Sequence, residues 1–350
     1  MKRSLTFFLT AVAATVIFIC FFERLFNNDD SPSFYEGRSL HAIIQLNHID
    51  RQNSSARVTG YHYDLLKKFA SCVNAEIEIR SASMHSDPLD SLLLGAADIV
   101  VLEPSRVSAN DSISYSNIID SIAVWAVMID DTRRHEELSA WMHEYIGSEM
   151  DDSVRSVFMT PLHPHRLAEN GVRRSHITPY DEILKANADS IGWDWRLLAA
   201  LMYQESRFNI NAGSPRGARG LMQLMPNIRR YYGCENYLDP EQNIMAGARL
   251  LERLEDIFRD RSANLAELEK FTLAAYNAGN SRISQCIEFA ESKGADPSHW
   301  DSVAAHIPEF SMMSTTDSTM RTFNGNETIS FVNKVLSYYD CFKAICPTED

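Results

Sequence analysis

The sequence predicts an α+β multidomain chain, a mixed α/β module followed by an all-helical one. Its 350 residues, 45% hydrophobic and 23% charged, are too many for one compact core and too apolar for disorder. Between residues 40 and 160, short apolar runs with strand spacing alternate with runs of helical spacing, whereas beyond residue 180 the spacing is helical throughout. The 47 acidic against 33 basic residues give a net charge of −14, which argues against a nucleic-acid partner held by clustered lysine and arginine. Attraction to an anionic bilayer by charge is disfavoured for the same reason.

At the N-terminus, Lys2 and Arg3 precede an uncharged apolar run, 5–22 (LTFFLTAVAATVIFICFF), which ends at Glu23 and Arg24. That run is just long enough to cross a bilayer as a helix. A secretory signal has a shorter apolar core and a small-x-small cleavage site, and the exit FICFFERLF offers none. Residues 1–26 are therefore expected to be a membrane anchor rather than a cleaved signal segment, with its basic end in the cytoplasm and the rest of the chain outside. Lipid attachment at Cys20 is disfavoured by the large Phe18 and Ile19 before it. Residues 27–39 (NNDDSPSFYEGRS) are polar and rich in turn formers, and are expected to be a tether.

From residue 40 to 160 the chain alternates. HAIIQL is a short strand, GYHYDLLKKFASCV a helix, AEIEIR a strand, DPLDSLLLG a short helix, ADIVVL a buried strand, SIAVWAVMI another strand and RRHEELSAWMHEYIGSEM another helix. Such alternation predicts βαβ units on a mostly parallel sheet. Residues 161–178 hold prolines and no hydrophobic period, and are expected to be a linker. His163 and His165 form an H-x-H pair with no third ligand nearby, so metal binding is not expected there. Outside the anchor stand Cys72, Cys234, Cys286, Cys341 and Cys346. Cys341 and Cys346 are close enough to close a small loop, and buried thiols are an equal alternative. With no C-x-x-C pair, zinc-ribbon and thioredoxin-type chemistry have no support; no metal is expected, and no cofactor.

Residues 179–346 are expected to form the helical domain, about six main helices running through ITPYDEILKANADSIG, DWRLLAALMYQESRF, PEQNIMAGARLLERLEDIF, AELEKFTLAAYNAG, SRISQCIEFAESKG and ETISFVNKVLSYYDCFK. Glu205 is the informative residue. Leu198, Leu201 and Met202 precede it at helical spacing and place it on the inward face. A carboxyl there is partly desolvated, and its pKa rises towards values at which it can deliver a proton near neutrality. From the helix alone, an ion pair of Glu205 with Arg207 or Arg219 is an equal alternative. The following segment is rich in small residues (Gly213, Ser214, Gly217, Ala218, Gly220), which lets backbone approach a ligand, and lacks the G-K-[ST] of a phosphate loop.

The ordered strings ESRFNINAGSPRGARGLMQLMP (205–226), DPEQNIMAG (239–247), AAYNAG (274–279) and ETISFVNKV (327–335) resemble the motifs of family 1 lytic transglycosylases of the soluble-lytic-transglycosylase type. The likeness extends over roughly 180–343. GYHYDLLKKFA, LLLGAADIVV and Tyr115-Ser, then WAVMIDDTRRHEELSAWMHEYI, are similar to the first lobe of amino-acid-type periplasmic solute-binding modules. Together with the apolar N-terminus they resemble the membrane-bound F-type members. The resemblance implies a goose-lysozyme-like helical domain that acts on peptidoglycan glycan strands, on the periplasmic side of a bacterial envelope. It implies an N-terminal single lobe, since the family's second lobe is missing here, and hence a structural or docking role towards cell-wall or division proteins rather than amino-acid sensing.

Residue by residue, the resemblance implies Glu205 as the single catalytic acid/base, Ser214 as a contact of that acid or of the sugar, and Tyr276 as a hydrogen-bonding neighbour. Gly220, Gln223 and Met225 would line the glycan groove, Asn277 and Gly279 would hold the AAYNAG turn, and Glu327 would be a supporting acid of the last motif. Ile210 and Phe331 depart from the family's proline and tyrosine. Hydrolytic glycosidases usually need two carboxylates. The motifs supply one, which favours substrate-assisted release of a 1,6-anhydromuramoyl end over hydrolysis. A goose-type lysozyme hydrolase and a silent wall-binding scaffold are the alternatives. The other methionines are expected to fill core gaps. Residues 311–326 are expected to be a polar loop beside the groove.

Overall fold

The computed structural model describes residues 33–46, 58–82, 87–119, 121–316 and 323–347, which fall into two compact units divided between Met159 and Thr160. The apolar run 5–22 and Cys20 lie outside the described residues, as do residues 317–322 of the polar insertion. Among the described residues no helix is long and apolar enough to cross a membrane.

The first unit is built on strands β1 (Ser39–Gln45), β2 (Glu76–Ser81), β3 (Ile99–Leu102), β4 (Ile113–Tyr115) and β5 (Val124–Met128), in the order β2-β1-β3-β5-β4. Pairings β1·β2 and β1·β3 are parallel, whereas β3·β5 and β4·β5 are antiparallel. The sheet is therefore mixed, not mostly parallel. The connections around β4 are too short for the helical crossover that a parallel pair requires, so the chain turns back on itself. β3 is central and buried at every position, which explains its uninterrupted apolar run. Helices α1 (Val58–Cys72), α2 (Pro88–Leu93), α3 (Thr132–Tyr145) and α4 (Glu149–Met159) complete the unit. Leu89 and Leu92 of α2 pack on Val100, Leu102, Val124 and Ala126. Elsewhere in the unit Phe69, Trp125, Trp141 and Tyr145 form an aromatic core in which Trp141 and Tyr145 stack at 4.9 Å.

Two polar anchors were not legible in the spacing. Asp151 of α4 is fully buried and accepts from the Tyr61 hydroxyl at 2.5 Å and the Gly147 N–H at 2.8 Å. In the span read as tether, Phe34 and Tyr35 are buried, the Phe34 N–H donates to Glu137 at 2.8 Å, and the Tyr35 hydroxyl donates to the Arg134 carbonyl.

The second unit is helical: α5 (Pro164–Glu169), α6 (Asp181–Ile191), α7 (Trp195–Ser206), α8 (Pro226–Tyr231), α9 (Pro240–Phe258), α10 (Leu265–Ala278), α11 (Asn280–Ser292), α12 (Trp300–Ala304), α13 (Ile307–Thr316) and α14 (Gly325–Ile345). α5 sits within the span read as linker and packs on α14, where His165 Nε2 meets the Ser337 hydroxyl at 2.9 Å. The proline that broke the hydrophobic period opens this helix at its first position. α7 is buried from Arg196 to Tyr203, between α6 and α14. A helix apolar on all sides belongs in the middle of a bundle. The five cysteines of the described residues are free thiols.

α9 carries one side of the site and is started by Asp239, whose carboxylate accepts from the N–H groups of Glu241 and Gln242. Asp239→Ala removes this cap and is expected to cost ~1 kcal/mol in urea unfolding of the full chain. An unchanged midpoint would show that the helix start is held by packing alone.

Candidate active site

Glu205 is the penultimate residue of α7, and the turn behind it is unusual. Arg207 (φ 54°) and Phe208 (φ 65°) both adopt the left-handed conformation that side chains disfavour. The Arg207 N–H closes the helix on the Tyr203 carbonyl at 3.0 Å. The Arg207 guanidinium lies over the rings of Tyr203 and Tyr338, at 4.3 and 5.0 Å from their centroids, which holds this turn.

Leu198, Leu201 and Met202 are fully buried, and Glu205 shares their end of the helix as a half-buried side chain. Neither arginine pairs with it. Arg207 is engaged by the two tyrosines, and Arg219 reaches back to the Ala218 carbonyl at 3.4 Å. With desolvation uncompensated, the Glu205 carboxyl is pushed up to about 8. Among the described residues no hydrogen bond and no second carboxylate acts on it. Such a group holds its proton at neutral pH and is able to donate it.

Residues 212–224 fold into a tight double loop, with bridges between Gly213 and Arg219 and between Arg219 and Leu224. Ser214 Oγ accepts from the Ala218 N–H at 3.1 Å, leaving its own proton to donate. It makes no hydrogen bond to Glu205. Gln223, itself left-handed at φ 48°, donates its amide to the carbonyls of Ala212 (3.0 Å) and Gly220 (2.9 Å), so its nitrogen ties the loop and only its oxygen remains for another partner. Gly220 (φ +82°) has no room for a side chain, because a Cβ would stand 2.2 Å from Asn243 Nδ2. Met225, capping α8, is 39% exposed.

Tyr276 of α10 is tied to the loop. Its hydroxyl donates to the Met222 carbonyl at 2.7 Å, and its pKa is held well above the ordinary phenol value by burial and then by the charge of Glu205. Asn277 accepts from the Thr328 hydroxyl at 2.9 Å, which fastens the AAYNAG turn to α14. Glu327 stands differently from the other candidates. It is exposed in the first turn of α14, its N–H faces the Asn324 side chain, and neither a hydrogen bond nor a charge effect links it to Glu205. No group of three or more His, Cys, Asp or Glu side chains among the described residues is arranged to hold a metal ion.

Residues 182–298 match the family described as the transglycosylase SLT domain. The matched segment is about a third of the chain. It contains every candidate named above except Glu327. Over 164 residues the chain is 37% identical to the membrane-bound lytic murein transglycosylase F of Marinobacter nauticus, covering 46% of this chain and 32% of that protein. Over 315 residues it is 26% identical to the Alcanivorax borkumensis protein of the same name, covering 86% of this chain and 67% of that one. The chain thus spans about a third of the first relative's length. Among solved structures, the 70 kDa soluble lytic transglycosylase of Escherichia coli is 21% identical, with a TM-score of 0.37, over 61% of this chain and 35% of that one.

Within the matched segment, the residue that spacing did not single out is Asn243. It is fully buried, and its Oδ1 accepts from the Met222 N–H at 2.8 Å. The signal was present in the DPEQNIMAG string: a polar side chain one residue before Ile244 and one turn before Gly247, on the inward face of an amphipathic helix. A buried amide survives only where hydrogen bonds await it.

Proposed function

We propose that this chain is a peptidoglycan lytic transglycosylase, which cleaves the β-1,4 bond between N-acetylmuramic acid and N-acetylglucosamine without water. The observation that carries this reading is Glu205, a lone carboxyl kept protonated by burial in a segment that matches the SLT domain. A hydrolase with paired carboxylates would show the second charge raising the first. No such contribution reaches Glu205 among the described residues.

The chemistry follows from one group used twice. Protonated Glu205 donates to the glycosidic oxygen as the bond to C1 of the muramic acid breaks, and the substrate's own N-acetyl carbonyl oxygen closes on C1 as an oxazolinium. The Glu205 carboxylate then removes the proton from the C6 hydroxyl, whose oxygen attacks C1 and reopens the oxazoline. The acid regains its proton, and the product ends in 1,6-anhydromuramic acid. Ser214, with a free hydroxyl proton, is suited to the acetamido group, and the exposed Met225 with Gly220 and the Gln223 oxygen to the glycan. Asn277 supports the turn beneath Tyr276, and the exposure of Glu327 supports a place for it at the rim of a glycan groove.

The relatives' names, which print membrane-bound and murein, support a membrane-associated protein acting on the cell wall, which we read as the periplasmic side, with residues 1–26 as the attachment. The mixed sheet of residues 39–128 supports a single solute-binding-like lobe in the span 40–160, read as a docking module for cell-wall or division proteins.

Mass spectrometry of purified peptidoglycan digested by the full chain in detergent tests this reading. Muropeptides lighter by one water at muramic acid, absent with Glu205→Gln, are the expected result. Reducing ends would replace it by hydrolysis, and the absence of Glu205-dependent products would leave a wall-binding scaffold.

A further inference from the structure

We infer that the cleft between α5, α7 and α14 is a second site for peptidoglycan, one that takes a free carboxylate of a stem peptide; the choice of peptide rests on the lytic transglycosylase reading above. The cleft has a volume of about 350 Å³ and is lined by His163, Pro164, His165 and Arg166, by Tyr203 of α7 and by Tyr338 of α14. That is the size at which small-molecule sites begin. Tyr203 stands two residues before Glu205 in α7, and positions two apart on a helix point about 200° apart. The cleft and the acid therefore stand on opposite sides of that helix.

Its walls are preformed. The rings of Tyr203 and Tyr338 meet edge-on at 4.9 Å, the Tyr203 hydroxyl donates to the Leu162 carbonyl at 2.9 Å, and the Arg207 guanidinium lies over both rings. His165 is fixed as well, with its ring 5.3 Å from that of Tyr338 and its Nε2 on the Ser337 hydroxyl at 2.9 Å. What stays uncommitted is cationic or able to donate. Among the described residues the Arg166 side chain makes no hydrogen bond or ion pair, not even with Glu169 one turn further on, and His163 begins α5 without a side-chain cap. No carboxylate lines the cleft, although the chain as a whole carries −14.

The class of ligand follows from these groups. An arginine fork meets a carboxylate or a phosphate through two parallel hydrogen bonds, and an imidazole N–H adds a third donor. Pro164 and the two phenol rings add apolar walls, which a bare phosphate leaves unused and the aliphatic part of a peptide covers. A stem peptide joins both features, free carboxylates on short aliphatic residues, and it hangs from the muramic acid of the polymer that Glu205 cuts. A second hold on that polymer lowers KM for peptide-bearing strands and leaves the chemical step alone.

The test is calorimetric titration of the full chain in detergent with the tripeptide L-Ala-γ-D-Glu-diaminopimelate, with the same peptide amidated at its carboxylates, and with inorganic phosphate. The free acid is expected to bind at least about tenfold more tightly than the amide. Arg166 and His163 are exposed, so their alanine variants keep the parent's Tm. Arg166→Ala is expected to lose about tenfold in affinity and His163→Ala about threefold, whereas Glu205→Gln binds the peptide as the parent does. In turnover, Arg166→Ala raises KM on stem-bearing peptidoglycan and leaves kcat unchanged, and it changes neither on glycan strands stripped of their peptides. Three results overturn the inference: no binding of the free acid at millimolar concentration, equal binding of acid and amide, or unchanged affinity in both alanine variants. Phosphate bound where the peptide is not would make the cleft an anion site and overturn the peptide. The titration needs no turnover, so a parent that binds the peptide but releases no anhydro ends would lose the function and keep the site.

Discussion

Glu205→Gln is expected to lower the rate of anhydro-end release by a factor of ~10²–10⁴ and, in the same protein, to raise its stability at alkaline pH. Both effects come from one desolvated carboxyl. In the folded chain it titrates at about 8, against an ordinary glutamate value of 4.5. Between those values the folded state binds a proton that the unfolded state has released, so stability falls as pH rises. The contribution is fully present below about 4.5 and is lost as pH climbs through about 8. Glutamine has no proton to lose. The variant and the parent should therefore melt at similar temperatures near pH 5 and diverge towards pH 9, with the variant more stable by roughly 2–4 kcal/mol after allowing for partial exposure of the side chain. Thermal melts across that range check it. A gap that does not widen with pH would mean that the carboxyl is solvated and that its acid role needs another source.

The residues that sequence spacing exposed most clearly are those whose environment is set by the helix they occupy. The run WRLLAALMYQES is buried from Arg196 to Tyr203, so α7 is central and Glu205 at its end shares part of that desolvation. The small residues of the 212–224 loop announced close backbone approach, and Gly220 against Asn243 is such an approach. What stayed hidden depends on partners distant in sequence. No period links Asn243 to Met222, 21 residues away, or Tyr276 to the same residue, 54 away. Nor does polarity separate a free tether from one like residues 33–35, where Glu137 of α3 receives the chain. β4 is too short for alternation to register, and its antiparallel return is set by the brevity of its connections. Glu327 shows the limit from the other side, since a motif match carried its identity but not its exposed position.

Gly220→Ala is expected to destabilise the chain by roughly 3–5 kcal/mol and to remove activity even where the protein stays folded. The backbone at φ +82° already costs an alanine about 1 kcal/mol. The new Cβ would also stand 2.2 Å from Asn243 Nδ2, 2.8 Å from Asn243 Cγ and 2.8 Å from the Tyr237 carbonyl oxygen. The last of these is main chain and yields little, so Asn243 must move, and with it goes the acceptor of the buried Met222 N–H. Gly217→Ala separates the two causes. Its φ is +90°, but its Cβ would meet Pro226 Cγ at 3.6 Å, an ordinary contact. That variant carries the backbone cost without the collision and is expected to lose only ~1 kcal/mol. Urea unfolding of both, with anhydro-end release measured at a temperature where both are folded, distinguishes them. Equal losses would place the sensitivity of this loop in its backbone conformation. A deficit confined to Gly220→Ala places it in the contact with Asn243, the point at which α9 reaches Met222.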